Sequence, residues 1–556
     1  MRASSLSPFS FGMNHLILLS LISLSLADNI PRAAKWAAQP VGPDGPWNAV
    51  TASIGADSQP LALFPGHVWQ TIVPTEGYCS KNASTSHCTA GTYSKDRAIA
   101  AKLKGVQFKP GIQDFMAGVR MKGKSMDTYL DNCDIVGSVP DCSLALVDDQ
   151  MMEYPSGQWF PIFAGCLSVG APSENQSYSQ SPQPSINASI FPWYLTNHNS
   201  IPSSSFGMHI GSASSASPMS GSLNFGGFDK NRITGDILTL GGEPLAEVPL
   251  TDVSIKVIKG QSPFEFSEKP GLLASGNSSM PKSGIPVTLD GCSPYLTLPK
   301  STCDSISTYL PVTYNDSLGL YLWNTKDPKF KHIMSSASTL SFSIMGSDNT
   351  KSITIKVPFQ HLNLTIEPPL VSTPVSYFPC STGGTGSYVL GRAFLQDAFI
   401  AGNWHKKTWW LAQAPGPNIP TPDVVSIDAN DVSIRGSGND WVASWDRVWS
   451  GLAASDGATP TPPVPTSTST SDSGLTNAAK VGIGVGVGVG GSVLIGLCII
   501  WFLWRKRQSR RQPAHGPDTE PVSQTYEPKY TSQTQRPVEV PGTTVRREQS
   551  ERYELS

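Results

Sequence analysis

The sequence predicts an all-β extracellular part of roughly 380 residues in two lobes, followed by a single transmembrane helix. Three observations predict it. Gly (50) and Pro (47) together make 97 of 556 residues, too many for a helical bundle and ordinary for a loop-rich β chain. From residue 47 to about 414 the pattern is short alternating runs broken by Gly, Pro, Asn and Ser. Residues 253–258 (VSIKVI), 340–345 (LSFSIM) and 352–357 (SITIKV) are examples. Heptads, long helical periodicity and solenoid repeats are absent, and residues 301–309 form a short helix candidate. Charged residues are 15% and the formal net charge is −2, which excludes a highly charged disordered chain and a nucleic-acid binder.

The two ends assign the compartment. Residues 1–27 read as a secretory signal: Arg2 and His15 precede the apolar run 16–26, and Ser25 and Ala27 suit a cleavage site. Residues 481–504 carry no charge and are long enough to span a bilayer as one helix. Arg505, Lys506, Arg507, Arg510 and Arg511 follow at once and place the C-terminus in the cytosol. A glycolipid anchor would need its apolar tail at the very end, whereas the mostly polar residues 505–556 follow the span. That tail holds 10 Lys+Arg and 7 Asp+Glu, net +3; the remainder holds 40 − 10 = 30 basic and 42 − 7 = 35 acidic residues, net −5. It reads as disordered, with Tyr526, Tyr530 and Tyr553 available for docking or phosphorylation. Residues 454–480 form a stalk. In residues 459–473, nine of 15 are Ser or Thr and four are Pro, which cannot bury a core and suits O-glycosylation. Asn82, Asn175, Asn187, Asn277, Asn315 and Asn363 begin N-glycosylation sequons, expected on exposed loops. Gly482, Gly484, Gly486, Gly488, Gly490 and Gly491 give the span close-packing spacing, which suits a homodimer or a plain small-residue anchor.

Cys79, Cys88, Cys133, Cys142, Cys166, Cys292, Cys303 and Cys380 precede the stalk, an even set that suits disulfides in an oxidising compartment. No CxxC pair or Cys/His metal spacing occurs, so neither a metal nor a cofactor is expected. Cys498 near the cytosolic end of the span reads as an inert membrane thiol or a palmitoylation site.

Five ordered segments resemble the pepsin-like aspartic peptidases. Residues 47–59 (WNAVTASIGADSQ) look like the family's opening strand and turn. Residues 163–170 (FAGCLSVG) look like its GILGLG strand, and 221–232 (GSLNFGGFDKNR) like the strand pair joining the lobes. Residues 287–299 (VTLDGCSPYLTLP) look like the second catalytic strand. Residues 389–396 (VLGRAFLQ), continuing to Ala414, look like the closing strands. The resemblance covers about 370 residues and implies a bilobal pepsin-like fold, with an N-terminal lobe at 28–235 and a C-terminal lobe with its trailing segment at 236–453. The stalk, glycine-rich span and basic stop resemble fungal cell-surface members. The resemblance also implies a small Cys79–Cys88 loop, with Cys133–Cys142 and Cys303–Cys380 as further pairs and Cys166 and Cys292 left as buried thiols on floor strands of different lobes.

In that family two carboxylates flank one water and share a proton, because like charges so close cannot both ionise. One takes the water's proton while the other polarises the carbonyl. Asp290 matches the second acid, and Ser293 matches the hydroxyl that orients it. The motif's glycine is Cys292 here. The first acid is missing: residues 61–69 read LALFPGHVW, and no Asp or Glu lies between Asp57 and Glu76. Phe64, Pro65 and Gly66 fill the degenerate motif, with Phe64 at the acid if Gly66 is the family's glycine. The Tyr-Gly-x-Gly flap tip is absent; residues 122–129 (KGKSMDTY), with Tyr129, occupy the region. Ser168 replaces a floor glycine. His67 has the pKa range of a base, but a lone His beside an apolar strand reads as structural.

The resulting expectation is a plasma-membrane protein with an extracellular, N-glycosylated ectodomain and a cytosolic C-terminus. It is catalytically inactive, binds a peptide, glycan or wall ligand, and signals through its tail. The alternative is a membrane-anchored aspartic endopeptidase working at acid pH. Asp290 is the surviving dyad candidate, either as an acid or as a buried hydrogen-bonded remnant.

Overall fold

The computed structural model describes residues 29–449, apart from 56, 82–87, 96–115, 117, 125, 179–185, 347–349 and 383–386. The signal, stalk, span and tail assigned above, with Asn82 and Cys498, lie outside the described residues. Among the described residues no helix is long and apolar enough to cross a membrane.

Three large sheets carry the fold. The first, eight-stranded, is built from residues 50–189, with Gln59–Gly66 and Gly165–Ser168 at its centre. The second contains the long strand Val248–Lys259, Ala337–Met345, Ser352–Pro358 and Ile285–Leu289. A six-stranded sheet gathers strands from the start of the chain (Arg32–Ala33), from 205–241 and from after the second sheet (398–413). Ser205–His209 pairs antiparallel with Ala398–Asn403, and Thr234–Gly241 with Thr408–Gln413. Alternation explains the placements: Val50–Ile54 buries every second side chain, and so do the first residues of Ser352–Pro358. The three runs read as strands from sequence fall within strands, and the short helix candidate is the helix Lys300–Ser307.

One apolar core extends from Trp47 and Leu63 in the first half to Phe342 and Phe394 in the second. The chain then continues past the closing strand. Val424–Ser426 pairs with Gly227–Asp229, covering a smaller core of Phe228, Phe399, Trp410 and Ile427. Trp441, Trp445 and Trp449 pack on Ala337, with Trp445 and Trp449 stacked at 4.8 Å.

Two sequence expectations change here. Cys79–Cys88 and Cys303–Cys380 are bonded, but Cys133 and Cys142 remain separate buried thiols. A register irregularity between the paired strands sets Cys142 opposite Asp131 and Cys133 opposite Val139, so the two are diagonal neighbours. Cys166 and Cys292 are not thiols: they are bonded to each other. The sequons also differ from the loop expectation. Asn175 and Asn187 are exposed but lie on paired strands, while Asn277, Asn315 and Asn363 are half-buried.

Candidate functional site

Two strands, one from each half, end at one point. Gln59–Gly66 runs parallel to Gly165–Ser168, with Phe64 opposite Cys166 and Gly66 opposite Ser168. Ile285–Leu289 runs parallel to Val389–Leu390, with Leu289 opposite Leu390, and Asp290 is the next residue. The two turns touch. A Cβ on Gly66 would collide with Sγ of Cys292 and lie 2.6 Å from Asp290 Oδ1. A Cβ on Gly291 would collide with the Pro65 carbonyl. Glycine is required at both places: at Gly291 backbone meets backbone, and at Gly66 the Cys292 sulfur and the Asp290 carboxylate occupy the side-chain space.

Asp290 is 3% exposed and held by donors on both oxygens. Oδ1 accepts from the Cys292 N–H at 2.9 Å and from the His67 N–H, across the lobes, at 3.2 Å. Oδ2 accepts from Ser293 Oγ at 2.9 Å. Ser293 therefore takes the orienting position read from the sequence, and the Cys292 N–H still reaches the carboxylate. Burial lowers the pKa of the His67 imidazole, and the charges of Asp290 and Glu243 oppose that shift.

The degenerate motif holds no acid. The buried Phe64 ring lies against the guanidinium of Arg392, 3.7 Å from ring centroid to carbon. Arg392 is itself buried; Nη1 donates to the carbonyls of Gly291 (3.0 Å) and Cys292 (2.8 Å), and Nη2 lies 3.6 Å from Asp44 Oδ2. Burial lowers the Arg392 pKa, while Asp44 and Asp290 support its charge. Burial likewise raises the Asp44 carboxyl, against the pull of Arg392 and the Trp47 indole N–H at 3.0 Å. One cation thus ties the Asp290 turn, the Phe64 ring and the N-terminal Asp44 together.

The rim is built from both halves as well. Lys122 ends the short strand Arg120–Lys122, and Tyr129 is half-buried in Asp127–Asp134. Tyr129 thus lies within a strand and not at a hairpin tip. Tyr154 reaches the other half, its hydroxyl meeting that of buried Tyr295 at 2.7 Å. Gly118 lies against Thr297 and Val389 of the second half, where a Cβ would come within 2.8 Å of Thr297 Oγ1. Among the described residues no cluster of three or more His, Cys, Asp or Glu could hold a metal ion.

Sequence reading located Asp290, Ser293 and the Phe64–Gly66 gap. It missed Arg392, Asp44, Tyr154 and the Cys166–Cys292 bond. Arg392 had a readable signal, a lone charge inside the apolar run VLGRAFL. Asp44, in the turn VGPDGP, had none.

Motif strands from two β halves, converging on a carboxylate gripped by its own turn, define an aspartyl-protease type of site. The model of the eukaryotic aspartyl protease family matches residues 73–414, and the chain belongs to that family. The match begins after the Phe64–Gly66 turn. Barrierpepsin of Saccharomyces cerevisiae (strain ATCC 204508 / S288c) is 23% identical over 391 residues, covering 66% of this chain and 60% of its own. An acid protease of Saccharomycopsis fibuligera is 27% identical over 256 residues, covering 45% of this chain and 56% of its own. The chain thus spans less than two thirds of either relative. The crystal structure of an aspartic proteinase from Irpex lacteus aligns with 14% identity and a TM-score of 0.41, over 70% of this chain and 98% of that one.

Proposed function

We propose that this chain is a cell-surface pepsin-like protein that hydrolyses no peptide bond and uses its ectodomain to bind a peptide, glycan or wall ligand. One observation carries the reading: where a first catalytic carboxylate would face Asp290, the Phe64 ring lies on the Arg392 guanidinium. A single carboxylate cannot act as base and as protonated electrophile in the same step. Asp290 is also fully engaged by Cys292, His67 and Ser293. The signal, stalk, uncharged span and basic stop support a single-pass type I anchor with the C-terminus cytosolic. The tail supports a signalling role, and the glycine-rich span supports pairing of two chains.

A second reading, a membrane-anchored acid endopeptidase, needs another carboxylate. Besides Asp290, the charge of Asp44 acts on Arg392 and that of Glu243 on His67. The ectodomain, residues 28–453, assayed on peptides from about pH 3 to 7 with and without pepstatin, separates the two readings. No cleavage by folded protein supports the binding module. Pepstatin-sensitive cleavage that is lost in Asp290→Asn overturns it, and Asp44→Asn and Glu243→Gln then identify the second acid. Removing residues 508–556 tests signalling: an unchanged cellular response removes the sensing role.

A further inference from the structure

We propose that the Cys166–Cys292 disulfide is a covalent lock between the two halves, which holds the Asp290 site in one preformed state and removes the relative lobe motion a bilobal protein would otherwise have. Cys166 lies on the floor strand of the first half, directly opposite Phe64. Cys292 lies in the turn of the second half that grips Asp290. The bond joins residues 126 apart, with Cα atoms 5.6 Å from each other. The other two disulfides each close a loop within one half, Cys79–Cys88 over 9 residues and Cys303–Cys380 over 77.

The lock's surroundings match its role. The sulfur of Cys292 fills the space beside Gly66, so the turns cannot part while the bond holds. Non-covalent ties reinforce it at the rim: Tyr154 to Tyr295 at 2.7 Å, and the Ser156 N–H to the Ser317 carbonyl at 3.2 Å. The N-terminal segment adds two more, Thr365 N–H to Gly45 carbonyl at 2.9 Å and Glu367 N–H to Pro43 carbonyl at 2.7 Å. Inter-lobe interfaces without such a link permit motion by default. Both cysteines are nearly fully buried, at 1% and 2% exposure, so a reductant reaches the bond only through a local opening of the floor. Opening it consumes two electrons and two protons. A trialkylphosphine supplies the electron pair, water supplies the oxygen and protons, and the products are two thiols and a phosphine oxide. The inference does not depend on the absence of catalysis, since a peptidase with this bond would be locked as well.

The test uses the full-length chain purified in detergent. Non-reducing peptide mapping comes first: the Cys166 and Cys292 peptides should be found joined, and free thiols at both positions overturn the proposal. Amide hydrogen exchange then compares Cys166→Ala/Cys292→Ala with Cys303→Ala/Cys380→Ala. In the first variant, peptides 61–69, 163–170 and 288–296 should exchange at least about tenfold faster, while 337–345 and 352–358 stay within about twofold. The second variant should speed exchange in the second half alone. Unchanged floor peptides overturn the lock, and so does a uniform acceleration along the chain, which would mean general destabilisation. If the first variant does not fold, the natural chain is titrated with the phosphine and alkylated. Floor exchange that rises in step with alkylation of Cys166 and Cys292 supports the proposal; reduction without change in the floor overturns it.

Discussion

Replacing His209 by Gln should flatten the acid side of this protein's stability profile. His209 ends the strand Ser205–His209 and is fully buried. Its Nε2 lies 2.7 Å from the Gln396 carbonyl, which can only accept, so that nitrogen carries the proton. Its Nδ1 faces Arg232 Nη1 at 3.4 Å and must accept. Protonation would point a second N–H at a guanidinium. Burial first, and Arg232 second, push the pKa from 6.5 to about 3. Above pH 6.5 the ring is neutral in both folded and unfolded chains, and its contribution to stability is complete. As pH falls below 6.5 the unfolded chain takes up a proton that the folded chain refuses, so stability drops until pH reaches about 3. The loss is about 1.4 kcal/mol per pH unit, hence about 2 kcal/mol at pH 5 and about 5 kcal/mol in full. A Gln amide can donate to Gln396 and accept from Arg232 without titrating. Denaturant unfolding of the ectodomain at pH 7.5 and pH 5 should therefore show His209→Gln losing about 2 kcal/mol less than the natural chain over that interval. Equal losses in both proteins would refute the reasoning. The same group bears on function, because an acid endopeptidase would have to work in the range where His209 is most destabilising.

Other outcomes follow from the site. Gly66→Ala should cost about 3 kcal/mol or prevent folding, because its Cβ collides with Cys292 and crowds Asp290; unfolding midpoints and the yield of folded protein check it. Phe64→Asp restores a carboxylate at the degenerate position but sets it against Arg392, so peptide cleavage should stay absent; pepstatin-sensitive activity would show that the guanidinium does not capture it. Trp445→Ala removes a fully buried ring from the trailing cluster and should lower stability by about 3–5 kcal/mol in the same unfolding assay.

Local signals were legible and distant ones were not. The run VSIKVI alternates because the long strand Val248–Lys259 places one face in the core, so a window of six residues carries the information. Asp290 was legible because its spacing to Ser293 and Pro299 survives within one segment. Arg392 acts on residues about 100 positions earlier, through the carbonyls of Gly291 and Cys292, and only the fold sets that contact. The Cys166–Cys292 bond is similar: the sequence puts both residues on floor strands, yet their bonding depends on how closely the turns at Gly66 and Gly291 approach. The trailing tryptophans recur at every fourth position from Trp441 to Trp449, a spacing visible in the sequence that revealed no partner until Ala337 was seen beneath them.

The six-stranded sheet also sets a timetable. Phe206 pairs with Gly402, Thr239 with Trp410, and Ser203 hydrogen-bonds to the Ile427 carbonyl. Strands made early in synthesis thus wait for partners about 200 residues later, roughly 20 s at about 10 residues per second. During that interval the edge of Ser205–His209 toward residue 400 has no strand to close it. The nascent first half therefore emerges with an open sheet edge, which closes only once the strand Ala398–Asn403 has been made.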